Sequence, residues 1–295
     1  LYRDLESWPE LANVLQERIE MATEPTTEVE LWRNLGELYE IQMGKLDEAI
    51  DAYRSILEIE ETDLLAIESL ERIYESDERW EDLIEILERK ADSTYDPDDV
   101  VEIRLRIATI LEERLGDLER AIDAYEELLA VEADNEEALE ALERLYFETE
   151  QWESLLDIYE ERLSLTHEPE EQVEIHGQIA AIWENQLDDP QRAVAAYDEI
   201  LVVEPDNREA MRNLERLYRE LENWFDLVEI LQQHIEVVEE ADRQIELYNE
   251  LARVQQHYIE EPYAAIEAYE ASLELESNQP EILFNLAELH EQTSN

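Results

Sequence analysis

The sequence predicts an all-α protein, a right-handed α-solenoid of paired helix-turn-helix repeats with about sixteen helices. A constant step of 72 residues relates four tryptophans, an Ala-Ile or Ala-Val pair and four tyrosines, and strand-like alternation is missing. Each unit of such an array buries its apolar face against its neighbours, so we expect an open array with a long exposed surface. The recurring aromatic residues are Trp8, Trp80, Trp152, Trp224, Tyr53, Tyr125, Tyr197 and Tyr269.

Each 72-residue unit contains four amphipathic helices, which turn and cap residues separate. Gly116-Asp117 marks one such break and Asp96-Pro97 another. In the unit that begins near Pro97, apolar residues at helical spacing predict the helices in this order: Ile103, Ile107, Ile110 and Leu111; Ala121, Ala124, Tyr125, Leu128 and Leu129; Leu139, Leu142, Leu145 and Tyr146; Trp152, Leu155, Leu156, Tyr159 and Leu163.

The repeat also predicts the domain organisation. Leu1-Tyr2 aligns with Ile73-Tyr74 at the end of a helix, so the sequence starts in mid-unit, and we interpret it as a segment of a longer protein. We predict a single continuous solenoid over residues 1–295, with double repeats at about 25–96, 97–168 and 169–240 and partial units at 1–24 and 241–295.

The charge of the chain limits its partners. The chain has 82 acidic and 22 basic residues and a formal net charge of −60, while 44% of its residues are apolar, enough to pack a core. Such a charge repels nucleic-acid phosphate and anionic membranes, so neither partner is expected. No apolar run is long enough to enter a membrane, and the absence of cysteine excludes disulfide and thiolate chemistry.

No pattern in the sequence predicts catalysis, a metal or a cofactor. The five histidines never stand three or four residues apart, and a phosphate-binding glycine loop and a nucleophile elbow are both missing. Asp96-x-Asp98-Asp99 lacks the glycine and the terminal glutamate of a calcium loop and is interpreted as a helix cap. We therefore expect a protein that is not an enzyme and takes no cofactor.

One segment carries a family resemblance. Trp32-x-x-Leu35-Gly36-x-x-Tyr39, followed by Ala49-x-x-x-Tyr53, resembles the tetratricopeptide repeat, in an arrangement similar to bacterial-type paired arrays with a 72-residue double repeat. Two such repeats fill each unit. The first type has one extra residue in its inner turn, and the second type replaces the small glycine of the pattern with Glu71, Glu143 and Glu215.

An arginine ladder is the candidate ligand contact. Arg72 follows the apolar Leu70 by two positions, which places it about 200° from the buried stripe, and the pattern recurs every 72 residues. Pairing at i−4, as between Glu68 and Arg72 or Glu140 and Arg144, is the alternative to a ligand groove. In the resembled family, first helices line the concave side, which implies these groove residues: Arg33, Arg72, Arg106, Arg144, Arg212, Arg216, Asn249 and Arg253.

Two other ladders are interpreted as structural. The four tryptophans begin helices in register with leucines, which favours core packing over exposed anchors. Cations near the carboxyl ends of the same helices oppose the negative end of the helix dipole. They are Arg18, Lys90, Arg162 and His234.

These observations favour a non-catalytic protein–protein interaction scaffold that binds an extended segment or a helix of a partner in its concave groove. The partner is a protein or peptide, and the acidic outer face favours a basic one. One alternative is an array that assembles end to end into a filament or spacer through its terminal helices, the last of which would expose Ile282, Leu283 and Leu286. Another is the regulatory or recruiting arm of an enzyme whose catalytic domain lies outside this segment.

Overall fold

The computed structural model describes residues 7–293, which form sixteen α-helices and no β-strand, as predicted. Leu1 and Tyr2, predicted to end a helix, lie outside the described residues. The first eight helices are α1 (Trp8–Glu20), α2 (Pro25–Glu37), α3 (Leu46–Ile59), α4 (Leu64–Ser76), α5 (Trp80–Ser93), α6 (Pro97–Ile110), α7 (Leu118–Leu129) and α8 (Glu136–Glu148). The others are α9 (Trp152–Leu165), α10 (Pro169–Asn185), α11 (Pro190–Val203), α12 (Arg208–Glu220), α13 (Trp224–Val237), α14 (Ala241–Val254), α15 (Pro262–Leu275) and α16 (Pro280–Thr293).

The chain packs as two compact units, Leu1–Leu145 and Tyr146–Asn295. From α1 to α7 in the first unit, and from α9 to α16 in the second, each helix packs against the next one along the chain. We call the even-numbered helices first helices and the odd-numbered ones second helices, because each repeat begins with an even-numbered helix. The single continuous solenoid stays a prediction.

The family glycine marks the closest approach between two helices. A Cβ atom on Gly36 of α2 would lie 2.8 Å from the Tyr53 ring of α3, which is buried together with Ile56 and Leu57. Only a residue without a side chain fits under that ring without a shift. The Leu35-Gly36 pattern is therefore explained by the packing of α2 on α3.

The extra residue of the first repeat type forms a π-helical turn. Three such turns follow first helices: π1 (Leu38–Met43), π2 (Leu111–Leu115) and π3 (Gln255–Ile259). A residue in the left-handed region follows each of them, and Asp188 has the same conformation after α10. The closing hydrogen bond spans six residues, as from the Lys45 amide to the Tyr39 carbonyl, whereas the second type closes over five, as from Arg79 to Tyr74. One inserted residue thus becomes one wider turn.

The structure agrees with the prediction of packed over exposed tryptophans, since Trp224 packs against the core of the second unit, but it corrects the extent of their burial and one residue of the last helix. The four recurring tryptophans are half-buried and do not lie in the fully buried core, because each stands at the first position of its helix, where neighbouring side chains cover only part of the indole. The ring of Trp224, for example, stacks on Tyr258 with centroids 3.9 Å apart. On the last helix, Ile282 is buried in the core of the second unit, and Leu283 is exposed while Leu286 is partly buried.

Candidate functional site

The predicted arginine ladder lies on first helices and is bonded to the preceding first helix of the same unit. Each guanidinium meets a carboxylate 32 residues upstream, and these carboxylates recur at the same step of 72. Each arginine is partly exposed, with its acceptor much less so. The pairs are Arg72 with Glu40 (2.6 Å), Arg144 with Glu112 (2.5 Å) and Arg216 with Glu184 (2.8 Å).

The predicted i−4 pairing of this ladder is wrong. Arg72 and Arg144 make their ion pairs with Glu40 and Glu112, and not with Glu68 and Glu140 one turn earlier on the same helix. The interhelical acceptors Glu40 and Glu112 are only about one-seventh exposed, and a less hydrated carboxylate makes a stronger bond to a guanidinium. Arg216, in contrast, also contacts Glu220 one turn later on its own helix, at 3.5 Å.

Tyrosines of the second helices complete the ladder. The Tyr53 hydroxyl donates to the second oxygen of Glu40 at 3.0 Å, and Tyr125 donates to Glu112 at 3.1 Å. Burial and the nearby Glu40 carboxylate raise the pKa of the Tyr53 phenol, so it stays a donor at neutral pH. Each carboxylate of these two copies therefore joins three helices.

The fourth copy of the ladder has lost both the arginine and its acceptor glutamate. Gln256 stands where the other copies have the acceptor glutamate, and Glu288 stands where they have the arginine. Tyr269 still donates to the side-chain oxygen of Gln256 at 3.3 Å. The amide avoids a like-charge contact with Glu288. Thus the fourth copy, which lacks the ladder arginine, also lacks the acceptor glutamate.

The other predicted groove residues fall into two groups. Most are bonded to neighbouring first helices or their caps: Arg33 to Asp63 (2.6 Å), Arg106 to Glu71 and Glu75, Asn249 to Gln279 (2.9 Å) and Arg253 to Glu281 (3.0 Å). Arg212 is exposed and makes no ion pair within the described residues. The surface of the first helices is therefore a network of paired charges with one open guanidinium.

The glutamates that replace the family glycine are also paired. Lys90 of α5 lies 2.8 Å from Glu71 of α4, and His234 of α13 contacts Glu215 of α12 through Nδ1. Burial opposes ionisation of Glu71, but hydrogen bonds from Lys90 and Arg106 hold its pKa below the usual range. Lys90 and His234 do lie in the last turns of their helices, as predicted, and they bind these side chains there.

A cavity of about 660 Å³ opens on the first-helix side of the second unit, and we call it the first-helix cavity. Arg219, Arg243 and Arg253 line it, with Asn249 and the stacked pair of Trp224 and Tyr258 among the other lining residues. Arg219 pairs with Glu250 and Arg243 with Glu215, so their positions are fixed by α12 and α14. Fixed guanidinium groups beside an aromatic pair can donate hydrogen bonds to backbone carbonyls or carboxylates.

The first unit has a cavity at the same repeat positions with different chemistry. Its volume is about 550 Å³, and Trp8 takes the place of Trp224. Where the second unit has Arg253 and Tyr258, this cavity has Glu37 and Gln42. The cluster of three arginines is therefore specific to the second unit, where Glu246 and Glu250 also line the cavity, whereas Arg18 is the arginine that lines the cavity of the first unit.

Sequence reasoning found Asn249 and Arg253 but not Arg243 or Tyr258 as site residues. Arg243 has no counterpart 72 residues upstream, where Glu171 stands, so the repeat gave no signal for it. Tyr258 stands 34 residues after Trp224, the spacing at which Arg114 covers the Trp80 ring at 5.3 Å. That spacing could have indicated the stacked pair.

Other site chemistries are restricted by three further observations. The described residues contain no group of three or more side chains arranged to hold a metal ion. Asp96, in the acidic motif, caps α6 by accepting from the Asp98 amide at 3.2 Å, so the helix-cap interpretation is confirmed. Within residues 7–293 no helix combines the length and the apolarity that crossing a bilayer requires.

Solved structures with similar folds are tetratricopeptide repeat proteins. YrrB, described as a TPR protein with an unusual peptide-binding site, is 14% identical over 64% of this chain and 97% of its own, with a TM-score of 0.34. The TPR2AB domain of yeast Sti1 in complex with pHSP90 is 18% identical over 92% and 100%, with a TM-score of 0.30. A repeat protein from Parabacteroides merdae is 15% identical over 89% and 98%, with a TM-score of 0.33.

Family profiles described as tetratricopeptide repeat match five stretches of the sequence. No curated protein matches it significantly. The five stretches, residues 29–63, 66–101, 102–134, 138–173 and 210–245, together cover more than half of the chain. The chain therefore belongs to the tetratricopeptide repeat family, whose members are generally non-catalytic scaffolds for protein–protein interaction.

Proposed function

We propose that the chain binds an extended segment or a helix of a protein partner along its first helices, anchored in the first-helix cavity of the second unit. The observation that carries this proposal is the clustering of Arg219, Arg243 and Arg253 around one cavity in a chain with only 22 basic residues. Guanidinium groups held in place by carboxylates lose little conformational entropy when a partner arrives.

The aromatic side of the cavity supplies the second contact. Trp224 and Tyr258 are stacked at an interplanar angle of 19°, and Tyr258 is exposed while Trp224 is half-buried. Such a pair offers a flat apolar surface beside the arginines, which suits a peptide that carries an apolar side chain next to an acceptor group.

Peptides selected from a random displayed library on the wild-type protein test the proposal. The double variant Arg219→Ala/Arg253→Ala should bind the selected peptides at least tenfold more weakly, because it removes two cavity-lining donors. The matched control is Arg72→Ala/Arg144→Ala, with the same charge change on first helices of the other unit. It should stay within about threefold of wild type.

Circular dichroism and thermal melting of both double variants separate binding from folding. The helical signal should be unchanged, because each lost pair is solvent-exposed and contributes less than about 1 kcal/mol. Equal losses of affinity in the two variants would contradict the proposed anchoring site and would assign binding to the ladder or to net charge.

A further inference from the structure

A second cavity in the second unit is lined mainly by second helices, with two residues of the first helix α12. Its volume is about 900 Å³, and residues of α11, α12 and α13 and of the turn after α11 line it; we call it the second-helix cavity. Leu201, Met211 and Ile230 are among its apolar lining residues. The ionisable groups that line it are all acidic or phenolic: Asp198, Asp206, Tyr218, Asp226, Glu229 and Glu236.

In the first unit, arginines of the chain itself fill the corresponding positions. Two repeats of 72 upstream, Tyr74 corresponds to Tyr218 and Asp82 to Asp226. There the Arg54 guanidinium lies 5.6 Å from the centre of the Tyr74 ring and donates to Asp82 at 2.6 Å. Arg79 lies 5.1 Å from the same ring and donates to Asp82 at 2.8 Å. The tyrosine face and the aspartate together form an arginine-binding arrangement.

The second unit keeps the acceptors and lacks both arginines. Asp198 stands in the place of Arg54 and Asn223 in the place of Arg79. No guanidinium of residues 7–293 lies over the Tyr218 ring, and the Tyr218 hydroxyl lies 3.4 Å from both oxygens of Asp198. The cavity has lost two cations and gained one anion at positions that hold cations in the other unit.

The electrostatics of the two copies differ accordingly. In the first unit, hydrogen bonds from Arg79 and Arg54 overcome desolvation and lower the pKa of Asp82. In the second unit, desolvation, together with the Asp226 and Glu199 carboxylates, raises the pKa of Asp198. A bound cation would relieve the repulsion between these carboxylates.

The geometry points to the second-helix cavity as a binding site for an arginine side chain of a protein partner. The guanidinium lies over the Tyr218 ring and bonds to Asp226 and Asp198, and apolar residues beside the arginine pack on Val202 and Val237. Val202 replaces Glu58 and Val237 replaces Ser93 of the first unit, which makes the rim apolar. The site goes beyond the proposed function, since it lies on second helices and uses acidic side chains.

The test uses a blocked peptide with one arginine between leucines and the same peptide with citrulline, which keeps the shape without the charge. Binding is followed by NMR titration near 0.15 M salt, where long-range attraction to the net charge is screened. The arginine peptide should bind at least tenfold more tightly than the citrulline peptide. The variant Asp198→Arg, which copies the first unit, should lose at least tenfold in affinity.

Two variants make the result specific. Glu270→Arg makes the same charge change at the same repeat position on α15, outside the cavity, and should change affinity less than twofold. Asp226→Asn removes the carboxylate charge without adding bulk and replaces one acceptor oxygen with a donor NH2 group. It should weaken binding at least tenfold, so the test holds even if Asp198→Arg fails to fold. If Asp198→Arg folds, its new guanidinium should form an ion pair with Asp226 and raise the melting temperature by about 2 °C.

The opposite pattern would overturn the inference. Equal weakening in Asp198→Arg and Glu270→Arg would mean that the peptide senses only net charge, and full binding by Asp226→Asn would mean that the arginine lies elsewhere. The result is independent of the Arg219→Ala/Arg253→Ala variant, which alters a different cavity and should bind the arginine peptide normally.

Discussion

The pair α4–α5 in the first unit and the pair α12–α13 in the second share a backbone design and differ in how their charges are satisfied. Both first helices carry a tyrosine in their last turn. A glutamate with positive φ follows each helix, and a tryptophan begins the second helix. In α4–α5, arginines cover the tyrosine ring. In α12–α13, acidic residues surround it and a cavity opens.

This comparison shows how a repeat protein can acquire a site without changing its fold. Asp198 in the second unit corresponds to Arg54 in the first, and Asn223 corresponds to Arg79. Despite these differences, the helix ends, the tyrosine and the aspartate are at the same repeat positions in both units. The interior packing depends on residues of the apolar stripe, which both copies keep. Function can therefore differ between repeats while the scaffold stays the same.

The largest difference is expected for the glutamates that replace the family glycine. Glu215 is buried with His234, whereas Glu71 and Lys90 both reach solvent. Replacing Glu215 with Ala leaves His234 buried without its partner and should cost about 3 kcal/mol of unfolding free energy. Replacing Glu71 with Ala should cost about 1 kcal/mol, because Lys90 and Arg106 can be hydrated. Urea denaturation measures the unfolding free energy of both variants. Equal losses would contradict the claim that the two glutamates differ in how far their partners depend on them.

The two aspartates should respond to pH with opposite signs. The pKa of Asp82 is lowered in the folded protein, so its ionised form adds stability above its unfolded value of 3.8 and this contribution is lost as pH falls through the folded pKa. The pKa of Asp198 is raised, so its ionised form reduces stability above the folded pKa, and the reduction is absent below 3.8.

Asparagine variants make that difference measurable. At neutral pH, Asp82→Asn should reduce the unfolding free energy by about 1 kcal/mol, while Asp198→Asn should increase it by about 0.5 kcal/mol. Each effect should shrink as pH falls through the folded pKa of its aspartate, so that of Asp198, whose pKa is raised, should shrink before that of Asp82, whose pKa is lowered. Shifts of the same sign at neutral pH would contradict the assigned environments.

The smallest effect should be equal in both regions. Glu78 and Glu222 have φ values of 55° and 57°, in the left-handed region that disfavours side chains. Glycine removes that strain but adds freedom to the unfolded chain, so Glu78→Gly and Glu222→Gly should each raise the unfolding free energy by about 0.5 kcal/mol. Thermal melts of the two variants check this, and an effect on one side only would mean that the turns differ.

Much of the fold could be predicted because one period governs the whole sequence. Each of the four predicted stripes in the unit near Pro97 is a helix. The helices α2, α6 and α10 begin at Pro25, Pro97 and Pro169, the positions where the predicted double repeats begin. The partners of the ladder could not be predicted in the same way. Arg72 has acids at many spacings among 82 acidic residues, and only the placement of α4 beside α2 selects Glu40 over Glu68.

The candidate sites were less accessible to sequence reasoning for a different reason. The ladder drew attention to residues that recur, such as Arg72 and Arg144, and these are bonded within the protein. The cavities depend on residues that break the repeat, such as Arg243 and Asp198. In this chain the departures from the period, compared copy by copy, are better indicators of a site than the period itself.

The most direct measurement of the central claim transfers the open site to the first unit. The double variant Arg54→Asp/Arg79→Asn surrounds Tyr74 and Asp82 with the residues that surround Tyr218 and Asp226 in the second unit. Calorimetric or NMR titration with the arginine peptide should then give two sites per chain where the wild type gives one, and Asp82→Asn in the same background should restore one. A stoichiometry that stays at one in the transferred variant would contradict the claim that a missing internal arginine creates the site.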